Sequence, residues 1–562
     1  MTTANYLFGV VSDDGAHYAD LWSKGVRATT FEFQWKEYEP QEGVFNQAYI
    51  DHMKQMLADL NNRGWYIQMI PGFHYAPDWV YTNYPSVFFV NQYGELYSPD
   101  PVILGDFRVI NAPFNPQARS LIAGYIGRIF QDFNQSNPAY HFDSVRIGGG
   151  VQGELRYPPS TWNGHTNAYW AFDTSAQNSA VSAIPTNIVG WRPGIDDNPG
   201  TTGRGQLVAN PGFEQNHDDY GIVGWSPDDE VTAELTTANP HGDSRSLKLN
   251  ITSPNRIHQY VRVIPGTQYN LAGWLRSGNS MGRARIFITQ YNNSWQPVTN
   301  APFLKLETLS TTWVNVSGSL TASPSTSIYK IELDGDQAGT YYFDDLQLKR
   351  DGETNQQNRD ITVPLEFYDW YVRSLTNYQN WQINEIRKYY SGQVDLVYAG
   401  KGVRPYQIMD AITNDLHGDG WSEGITGLYA GADYSRHVNG LSSDPNMALY
   451  LTGIEVPDAD LVNDSSPYPN DWSGAHWLAQ LAHRRGIPIW GENTGYNTRS
   501  EMNLVLTRMR VNGFKGIMWA IESQLYTSPN PNNFATIDDY SAYIQVYSNL
   551  LTMYLPLTLS HP

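Results

Sequence analysis

The chain has 562 residues with 56 acidic and 36 basic side chains, a formal net charge of −20 and no cysteine. The lack of cysteine excludes disulfides, cysteine nucleophiles and thiolate metal sites, and an acidic chain without basic runs is unsuited to binding nucleic acid. Polyanionic substrates are disfavoured for the same reason, unless a local basic pocket overrides the average charge.

The N-terminal residues lack the features of an export signal. Residues 1–4 lead directly into an apolar segment, without a basic region or a long apolar stretch. We expect a secreted or cell-surface protein whose signal has been removed, with the cytoplasm as the alternative. Elsewhere no apolar run approaches the roughly 20 residues that a membrane span needs.

Strand and helix patterns alternate through the first part of the chain. Helical spacing of apolar residues gives way to short β-branched and aromatic runs, each bounded by turn residues. Four such units in a row predict a parallel sheet. The predicted strands are 6–11, 26–33, 65–70 and 142–147, and the predicted helices are 18–24, 48–63 and 118–133.

The pattern changes after the fourth strand. Residues 158–204 are rich in Trp, Asn, Pro and Gly and are expected to form loops. Between residues 206 and 350 short alternating strands follow one another with frequent turns and no helical period. This pattern is typical of an independent β-sandwich of the jelly-roll type.

The alternation of strands and helices then resumes. Strands are predicted at 394–399, 448–454, 487–490 and 514–520, and helices at 365–389, 406–416, 476–485, 501–511 and 540–551. Four strands before the insertion and four after it predict a (β/α)8 TIM barrel. The alternative is an open doubly wound sheet, but no glycine-rich phosphate motif opens the first helix. The predicted domains are a first half-barrel with its cleft loop at 1–204, the sandwich at 205–350 and a second half-barrel at 351–562.

Two glutamates end predicted barrel strands, each directly after a glycine. Glu154 follows strand four, and Glu492 follows strand seven. In TIM barrels the reacting groups lie at the carboxyl ends of the strands. Cleavage of a glycosidic bond needs two carboxyl groups, one protonated and one ionised. We therefore predict Glu154 and Glu492 as the catalytic pair, against the ordinary alternative of surface or ion-paired residues.

Other acidic residues compete for these roles. Glu32 lies within strand two, Glu455 ends strand six, and Glu522 follows strand eight. Glu455 is the strongest rival, although a buried glutamate there could equally orient a neighbour. Asp395, inside strand five, could face the barrel interior as an ion-pair partner.

Polar and aromatic residues at the remaining strand ends are candidates for holding a sugar. Aromatic faces stack on sugar rings, and polar side chains bond the hydroxyls; core packing is the alternative for each aromatic residue. Arg156 could pair with a carboxylate. The predicted substrate-binding residues are Gln34, Trp35, His74, Tyr398, Trp519 and Arg156.

Short motifs of the barrel resemble clan A glycoside hydrolases. The segment FEFQWKEYEPQEGVF at 31–45 is similar to their strand-two motif, and MIPG at 69–72 with PDW at 77–79 resembles the strand-three region of family 42 β-galactosidases. The resemblance implies that Glu154 is the acid/base and Glu492 the nucleophile. In one respect the chain departs from the clan, since Gly153 stands where Asn usually precedes the acid.

The segment GELRYP at 153–158 instead resembles the acid-bearing motif of β-amylases, which invert configuration. Glu154 is the proton donor under either resemblance, and Glu492 would be the general base in an inverting enzyme. Retention predicts carboxyl groups about 5–5.5 Å apart, and inversion about 6.5–9.5 Å apart.

The inserted sandwich resembles carbohydrate-binding modules of families 4, 9 and 22. The matching residues are NPGFE at 210–214, Trp225, Gly242, Ser246 and Leu247, Tyr269, GW at 273–274 and YFDDL at 342–346. Such modules often hold a structural calcium, which implies Glu214 and Asp345 as candidate oxygen ligands. The module could bind sugar or could shape the neighbouring cleft.

The sequence thus predicts a glycoside hydrolase that cleaves a neutral β-linked oligo- or polysaccharide with retention. The alternatives are an inverting hydrolase of α-glucans and a non-catalytic carbohydrate-binding protein. No cofactor is expected for catalysis, because the 13 histidines show no metal-ligand spacing. A saccharide is the expected partner, and neither nucleic acid nor membrane is.

Overall fold

Eight parallel strands form a closed barrel in the computed structural model. The model describes residues 6–12, 15–98, 107–196, 205–227, 231–252, 256–278, 282–298, 303–355, 357–416, 425–456, 463–466, 471–495, 497–527 and 533–554. The barrel strands, in spatial and sequence order, are β1 (Leu7–Val10), β2 (Ala28–Glu32), β3 (Tyr66–Ile70), β4 (Ser144–Ile147), β17 (Gln393–Tyr398), β18 (Met447–Leu451), β19 (Ile489–Glu492) and β20 (Gly516–Trp519). Parallel pairing of Leu7–Val10 with Gly516–Trp519 closes the circle. The predicted (β/α)8 barrel is confirmed.

Helices surround the barrel and alternate with its strands. Apolar residues at helical spacing explain them: in α3, Ile50, Met53, Leu57 and Leu60 are buried, and Asn46 caps the N-terminus. The helices are α1 (Tyr18–Ser23), α2 (Trp35–Tyr38), α3 (Gln47–Asn62), α4 (Asp78–Asn83), α5 (Pro116–Asp132), α6 (Thr174–Gln177), α7 (Thr362–Arg387), α8 (Pro405–Thr413), α9 (Ile425–Tyr429), α10 (Tyr434–Asn439), α11 (Gly474–Arg484), α12 (Arg499–Val511) and α13 (Ile537–Tyr554).

Between β4 and α7 the chain forms a two-sheet module. One five-stranded antiparallel sheet has the order β13-β12-β15-β10-β7, and the other has the order β14-β11-β16-β9-β8. The module strands are β5 (Asn216–His217), β6 (Gly221–Ile222), β7 (Ser226–Pro227), β8 (Val231–Thr236), β9 (Ser246–Ile251), β10 (Ile257–Arg262), β11 (Gln268–Ser277), β12 (Gly282–Tyr291), β13 (Phe303–Leu309), β14 (Val314–Thr321), β15 (Ile328–Gly335) and β16 (Gly339–Arg350). Apolar side chains from both sheets, with Phe213 and Trp225, form a core separate from that of the barrel.

The module packs against barrel helix α8 through buried polar contacts. His258 Nε2 lies 3.0 Å from Asp410 Oδ1, and the Ser226 hydroxyl donates to the same oxygen at 2.6 Å. Both His258 and Asp410 are almost completely buried. Arg359 adds a hydrogen bond to the Tyr260 carbonyl oxygen at 3.2 Å. These contacts hold the sandwich against the barrel wall.

The segment between β4 and the module is compact although it contains little regular structure. Trp170 and Tyr169 are fully buried in the barrel cluster, and the Trp170 indole donates to the Pro159 carbonyl. The described part of the segment expected to form loops, 158–196, therefore contributes Tyr169 and Trp170 to the barrel core, and the part at 197–204 lies outside the described residues. Within the described chain, no helix is long and apolar enough to cross a membrane.

Candidate active site

A cavity of about 750 Å³ opens at the carboxyl ends of the barrel strands. It brings together both predicted catalytic glutamates, Glu154 and Glu492, with Gln34 and His74 of the predicted binding residues. Its position matches the end of the barrel where this fold carries its chemistry.

Glu492, the last residue of β19, forms a buried ion pair with Arg146 of β4. The two guanidinium nitrogens donate to separate carboxylate oxygens at 2.7 and 3.0 Å. Burial opposes the charge on Arg146, but Glu492 and Tyr450 outweigh it and raise the pKa of the guanidinium. A bidentate, charge-assisted pair of this kind belongs to the strong class of side-chain hydrogen bonds.

Tyr450 of β18 adds a third hydrogen bond to Glu492, its hydroxyl donating to Oε2 at 2.9 Å. Burial, followed by the Glu492 charge, raises the pKa of Tyr450 well above its ordinary value. Tyr450 is therefore a neutral donor. With Oε2 accepting twice and Oε1 once, lone-pair capacity remains at Oε1.

Glu154 lies just past β4 in a different hydrogen-bonding environment. Its Oε1 accepts from the Thr452 hydroxyl, and its Oε2 accepts from Arg156 at 3.1 Å. The residue is buried, with 5% of its surface exposed. Glu154 thus accepts one arginine hydrogen bond, whereas Glu492 accepts two from Arg146 and a third from Tyr450. The two carboxyl groups therefore differ in their hydrogen-bond partners.

Strand β18 and the residue after it support both glutamates. Tyr450 and Thr452 are two positions apart and therefore project to the same side of the extended chain. Tyr450 contacts Glu492, and Thr452 contacts Glu154. A single strand end thus fixes the relative positions of the two carboxyl groups.

The turn before Glu154 is built on glycine. Gly153 has φ +73°, and a Cβ there would lie 3.3 Å from the His74 ring. At Gly148 a Cβ would lie 2.2 Å from the Gly153 carbonyl oxygen. These glycines let the backbone turn tightly after β4 and place Gly153, and with it the start of Glu154, close to the His74 ring.

Glu32, the last residue of β2, is a third carboxylate of the cavity. His74 Nε2 lies 3.4 Å from its Oε1, and 28% of the Glu32 side chain is exposed. From the sequence, Glu32 was predicted only as a competitor for a catalytic role. Its placement opposite the pair, together with Gln34 and His74, suits it to contact sugar hydroxyls.

Four predicted binding residues are absent from the lining of this cavity. The assignment of the three aromatic ones is corrected, and the fourth, Arg156, contacts Glu154 instead. Trp35 opens α2 and is fully buried, stacked 4.8 Å from Tyr125 with its indole donating to Glu39. The Tyr398 hydroxyl donates to Gln379 of α7, and Trp519 packs 5.5 Å from Tyr540 of α13. Alternate residues of a barrel strand face the helices, and these strand-end rings lie on that side.

The remaining competing acidic residues make structural hydrogen bonds. Glu455 Oε1 accepts from Thr494 and Asn497, so it orients the segment after β19. Glu522 accepts from the Ser12 hydroxyl and the His17 amide. Asp395 is fully buried, where burial raises its pKa and Gln68 and Gln393 donate to it.

The sequence reasoning missed Arg146, Tyr450 and Thr452. A signal was present for Arg146, since an arginine inside the predicted strand 142–147 must face a partner when buried. Tyr450 and Thr452 carried no comparable signal, because an aromatic residue or threonine in a strand is ordinary.

Glu214 and Asp345 both border the turn at 241–245 of the module. Glu214 accepts from the Ser244 amide at 3.0 Å and from its hydroxyl, and Asp345 lies 2.6 Å from His241 Nδ1. Burial, with the Asp345 charge, raises the pKa of the adjacent Asp344 to about 6. Among the described residues no group of three acidic or histidine side chains is placed to hold a metal, so a calcium ion there would also need backbone oxygens and water.

Two further cavities lie outside this centre. One of about 220 Å³ shares Glu154 and Thr452 with the catalytic cavity and is lined by Arg156 and Lys401. Another of about 870 Å³ lies between the module and the barrel, lined by Tyr220, Tyr406 and Trp477, and contains none of the predicted catalytic residues.

Comparison with known proteins supports the enzymatic prediction. The model of a family described as Glyco_hydro_42, β-galactosidase, matches residues 18–100, which include Glu32, Gln34 and His74. No curated protein matches the sequence. The match to a family of glycoside hydrolases supports the prediction that the chain is a glycoside hydrolase.

Solved structures resemble the whole chain or the module. The catalytic domain of β-amylase from Paenibacillus polymyxa is 12% identical, with 98% of this chain and 99% of that chain covered and a TM-score of 0.49. The CBM22-1 xylan-binding domain of Xyn10C from Paenibacillus barcinonensis is 16% identical, with 26% of this chain and 96% of that domain covered and a TM-score of 0.21. The enzymatically active domain of tailspike protein 4 of bacteriophage CBA120 is 14% identical, with 26% of this chain and 21% of that chain covered and a TM-score of 0.22.

Proposed function

We propose that this chain is a glycoside hydrolase that cleaves a neutral β-linked oligo- or polysaccharide with retention of configuration. The observation that carries the proposal is the placement of Glu154 and Glu492 in one cavity with different partners: a bidentate arginine and a tyrosine hydroxyl for Glu492, and a single arginine contact and a threonine hydroxyl for Glu154. Two carboxyl groups with different protonation states are what glycosidic cleavage requires.

Glu492 acts as the nucleophile in this proposal. Arg146 and Tyr450 keep it ionised and leave lone-pair capacity at Oε1. That oxygen attacks the anomeric carbon, the bond to the leaving oxygen breaks, and a covalent glycosyl-enzyme forms.

Glu154 acts as the acid and then the base. It gives its proton to the leaving oxygen, and the departing alcohol carries that proton away. The ionised Glu154 next removes a proton from water, which attacks the anomeric carbon and releases Glu492. Thr452 orients the carboxyl group through both steps, since its hydroxyl can donate or accept.

The sugar ring lies against Glu32, Gln34 and His74. Carboxylate, amide and imidazole groups can hydrogen-bond the ring hydroxyls. Because Glu32 and Glu37 also line the cavity, an anionic ring would be repelled there, which supports a neutral glycone.

An inverting hydrolase of α-glucans is the second candidate. The GELRYP segment at 153–158 favours it, and Glu492 would then activate a water instead of attacking carbon. A non-catalytic sugar-binding protein is disfavoured, because binding alone does not require an ion-paired carboxylate opposite a second carboxyl group.

Paired substitutions test the function. We expect Glu154→Gln and Glu492→Gln each to lower hydrolysis of chromogenic glycosides at least about a hundredfold, while Glu42→Gln, outside the cavity, leaves the rate unchanged. Circular dichroism should show the same fold in all three. Full activity in both cavity variants would contradict the assignment of Glu154 and Glu492 as the catalytic pair. NMR of the anomer that forms first distinguishes retention from inversion.

The proposal includes a structural calcium at the 241–245 turn of the module. Glu214 and Asp345 would supply hard oxygen ligands beside this turn. The ion has no part in the hydrolytic steps, which take place in the barrel.

A further inference from the structure

The catalytic cavity continues into a groove on the side of the barrel mouth where α1 and α3 lie. The groove has a volume of about 400 Å³ and is lined by residues of both helices. Neither Glu154 nor Glu492 lines it. The residues that line both the cavity and the groove are Gly15, Tyr18, His52 and Met56.

Glu154 marks the border of the catalytic cavity on another side. There the smaller cavity of about 220 Å³ shares Glu154 and Thr452 with the catalytic one, and Ala399 and Gly400, which follow β17, line it. Strand β17 is four places from β1 in the ring of eight strands, and α1 follows β1 in the chain. The groove and the smaller cavity therefore lie on opposite sides of the barrel mouth.

These positions give the substrate chain a direction, if the proposed function is correct. The leaving oxygen must lie at Glu154, and the anomeric carbon must face Glu492. The leaving group therefore extends toward the smaller cavity. The opposite edge of the same sugar ring, which carries the next unit of a chain, faces the groove.

The lining of the groove suits a neutral sugar. One face of α3, with the residue that follows it, supplies most of the lining at intervals of three or four residues. Leu60 is buried and Met56 is half-buried, so the groove has an apolar floor. The exposed polar side chains along it are His52, Gln55, Asp59 and Arg63. An apolar surface with a few polar groups is typical of ligand sites, and the opposite formal charges of Asp59 and Arg63 balance.

Tyr18 lies where the cavity meets the groove, and its ring is held in place. Its hydroxyl donates to the Ser12 hydroxyl at 3.1 Å, and its ring packs 5.2 Å from the ring of Trp65. Tyr18 is half-buried, so part of its surface is accessible to a ligand. A fixed aromatic side chain at this point can contact the face of a sugar ring that passes from the cavity into the groove.

We infer that the groove between α1 and α3 binds at least one further neutral sugar unit on the glycone side, so that the enzyme cleaves bonds inside an oligo- or polysaccharide chain. The inference rests on the proposed function and adds the length and direction of its substrate. An enzyme that removes single units from a chain end needs a cavity closed beyond one ring. Among the described residues, this cavity instead opens into the groove.

Two substrates with the same nitrophenol leaving group test the inference. One carries a single unit of the sugar that the wild type hydrolyses, and the other carries three units. In the longer substrate the bonds between sugars are S-glycosidic and resist hydrolysis, so release of the phenol reports one bond alone. We expect kcat/KM of the wild type to be at least about tenfold higher for the longer substrate, because binding of the additional units stabilises the transition state relative to free enzyme and substrate.

A double variant of the groove, Gln55→Ala with Asp59→Ala, removes two polar side chains from its lining. The matched control is Gln47→Ala with Asp51→Ala, which makes the same changes at exposed positions of the same helix. Neither Gln47 nor Asp51 lines the catalytic cavity or the groove. The groove variant should lower the ratio of the two kcat/KM values, longer over shorter substrate, about tenfold, as expected for the loss of two ordinary hydrogen bonds. The control should leave that ratio unchanged.

Equal kcat/KM values for the two substrates in the wild type, or an unchanged ratio in the groove variant, would overturn the inference and leave the proposed function intact. Failure of the wild type to hydrolyse any nitrophenyl glycoside would instead contradict the proposed function.

Discussion

Arg146 and Glu492 each depend on the other inside the barrel. Their side chains are 7% and 11% exposed, and loss of one partner leaves the other charge buried. Removing one member of such a pair typically costs about 3–5 kcal/mol. We therefore expect Arg146→Met to lower the free energy of unfolding by about that amount, measured by urea denaturation.

The double variant Arg146→Met with Glu492→Gln supplies the control for this prediction. It removes both charges and should regain most of the lost stability while remaining inactive. If the single and double variants were equally unstable, packing and not charge would explain the loss.

Gly153 offers a second prediction for a single residue. Gly43 and Gly153 share φ +73°, but a Cβ at Gly43 meets nothing within 4 Å, whereas at Gly153 it would lie 3.3 Å from His74. Alanine at either position bears the same backbone cost of a few kcal/mol or less. We expect Gly153→Ala to lower kcat/KM about tenfold, because the His74 ring must move by a few tenths of an ångström beside the reacting groups and misplacement there is costly. Gly43→Ala should leave kcat/KM near wild type. Similar kinetics in both variants would show that the His74 contact is unimportant.

The strands and helices were largely predictable, but the direction of individual side chains was not. Period and β-branched runs identified all eight barrel strands, and glycines before Glu154 and Glu492 marked the residues at the cavity. Tyr398 and Trp519 also end strands, yet their rings pack against α7 and α13. A shift of one residue reverses the face of a side chain, and sequence patterns locate strand ends less finely than that.

Helix α10 carries a pH-dependent feature at its N-cap. The Asp433 carboxylate accepts from the Arg436 amide, and burial, with the Asp369 charge, raises its pKa from 3.8 to about 7. The folded chain therefore holds a proton that the unfolded chain releases at lower pH. Between those values Asp433 costs stability as the pH rises.

Asp433→Asn should remove that cost, because Asn caps a helix as well as Asp does and does not ionise. From pH 5 to pH 8 the variant should gain stability relative to wild type by about 3 kcal/mol. Urea unfolding at both pH values measures the difference. A gain of equal size at pH 5 and pH 8 would rule out titration of Asp433 as the cause.

The two cores of the molecule meet at α8, where buried polar contacts join the module to the barrel. Asp410 of α8 accepts from both Ser226 and His258 of the module. We expect Asp410→Ala to separate thermal unfolding into two calorimetric transitions, since the module has its own core and loses its charged contact with α8. Asp351→Ala, on the module surface, should unfold as the wild type does.

At the scale of the whole molecule, the barrel and the inserted module were predictable from the sequence, but the contact between them was not. Changes of period along the chain distinguish sheet types, whereas Asp410 and His258 are far apart in sequence and neither stands out in its own segment. The same holds for Thr452 and Glu154. Contacts between distant segments depend on the closed fold, which a local pattern does not contain.

Insertion of the module between adjacent barrel strands also affects the order of synthesis. Strand β4 ends at Ile147, and its neighbour β17 begins only at Gln393. On the ribosome the module is complete while β1 and β4 still lack their neighbours β20 and β17, and domains fold as they emerge. Until β17 appears, the open edge of β4 is a site where nascent chains could pair with each other. The module, already folded around its own core and attached to the segment that follows β4, would hinder such pairing sterically until the second half of the barrel is made.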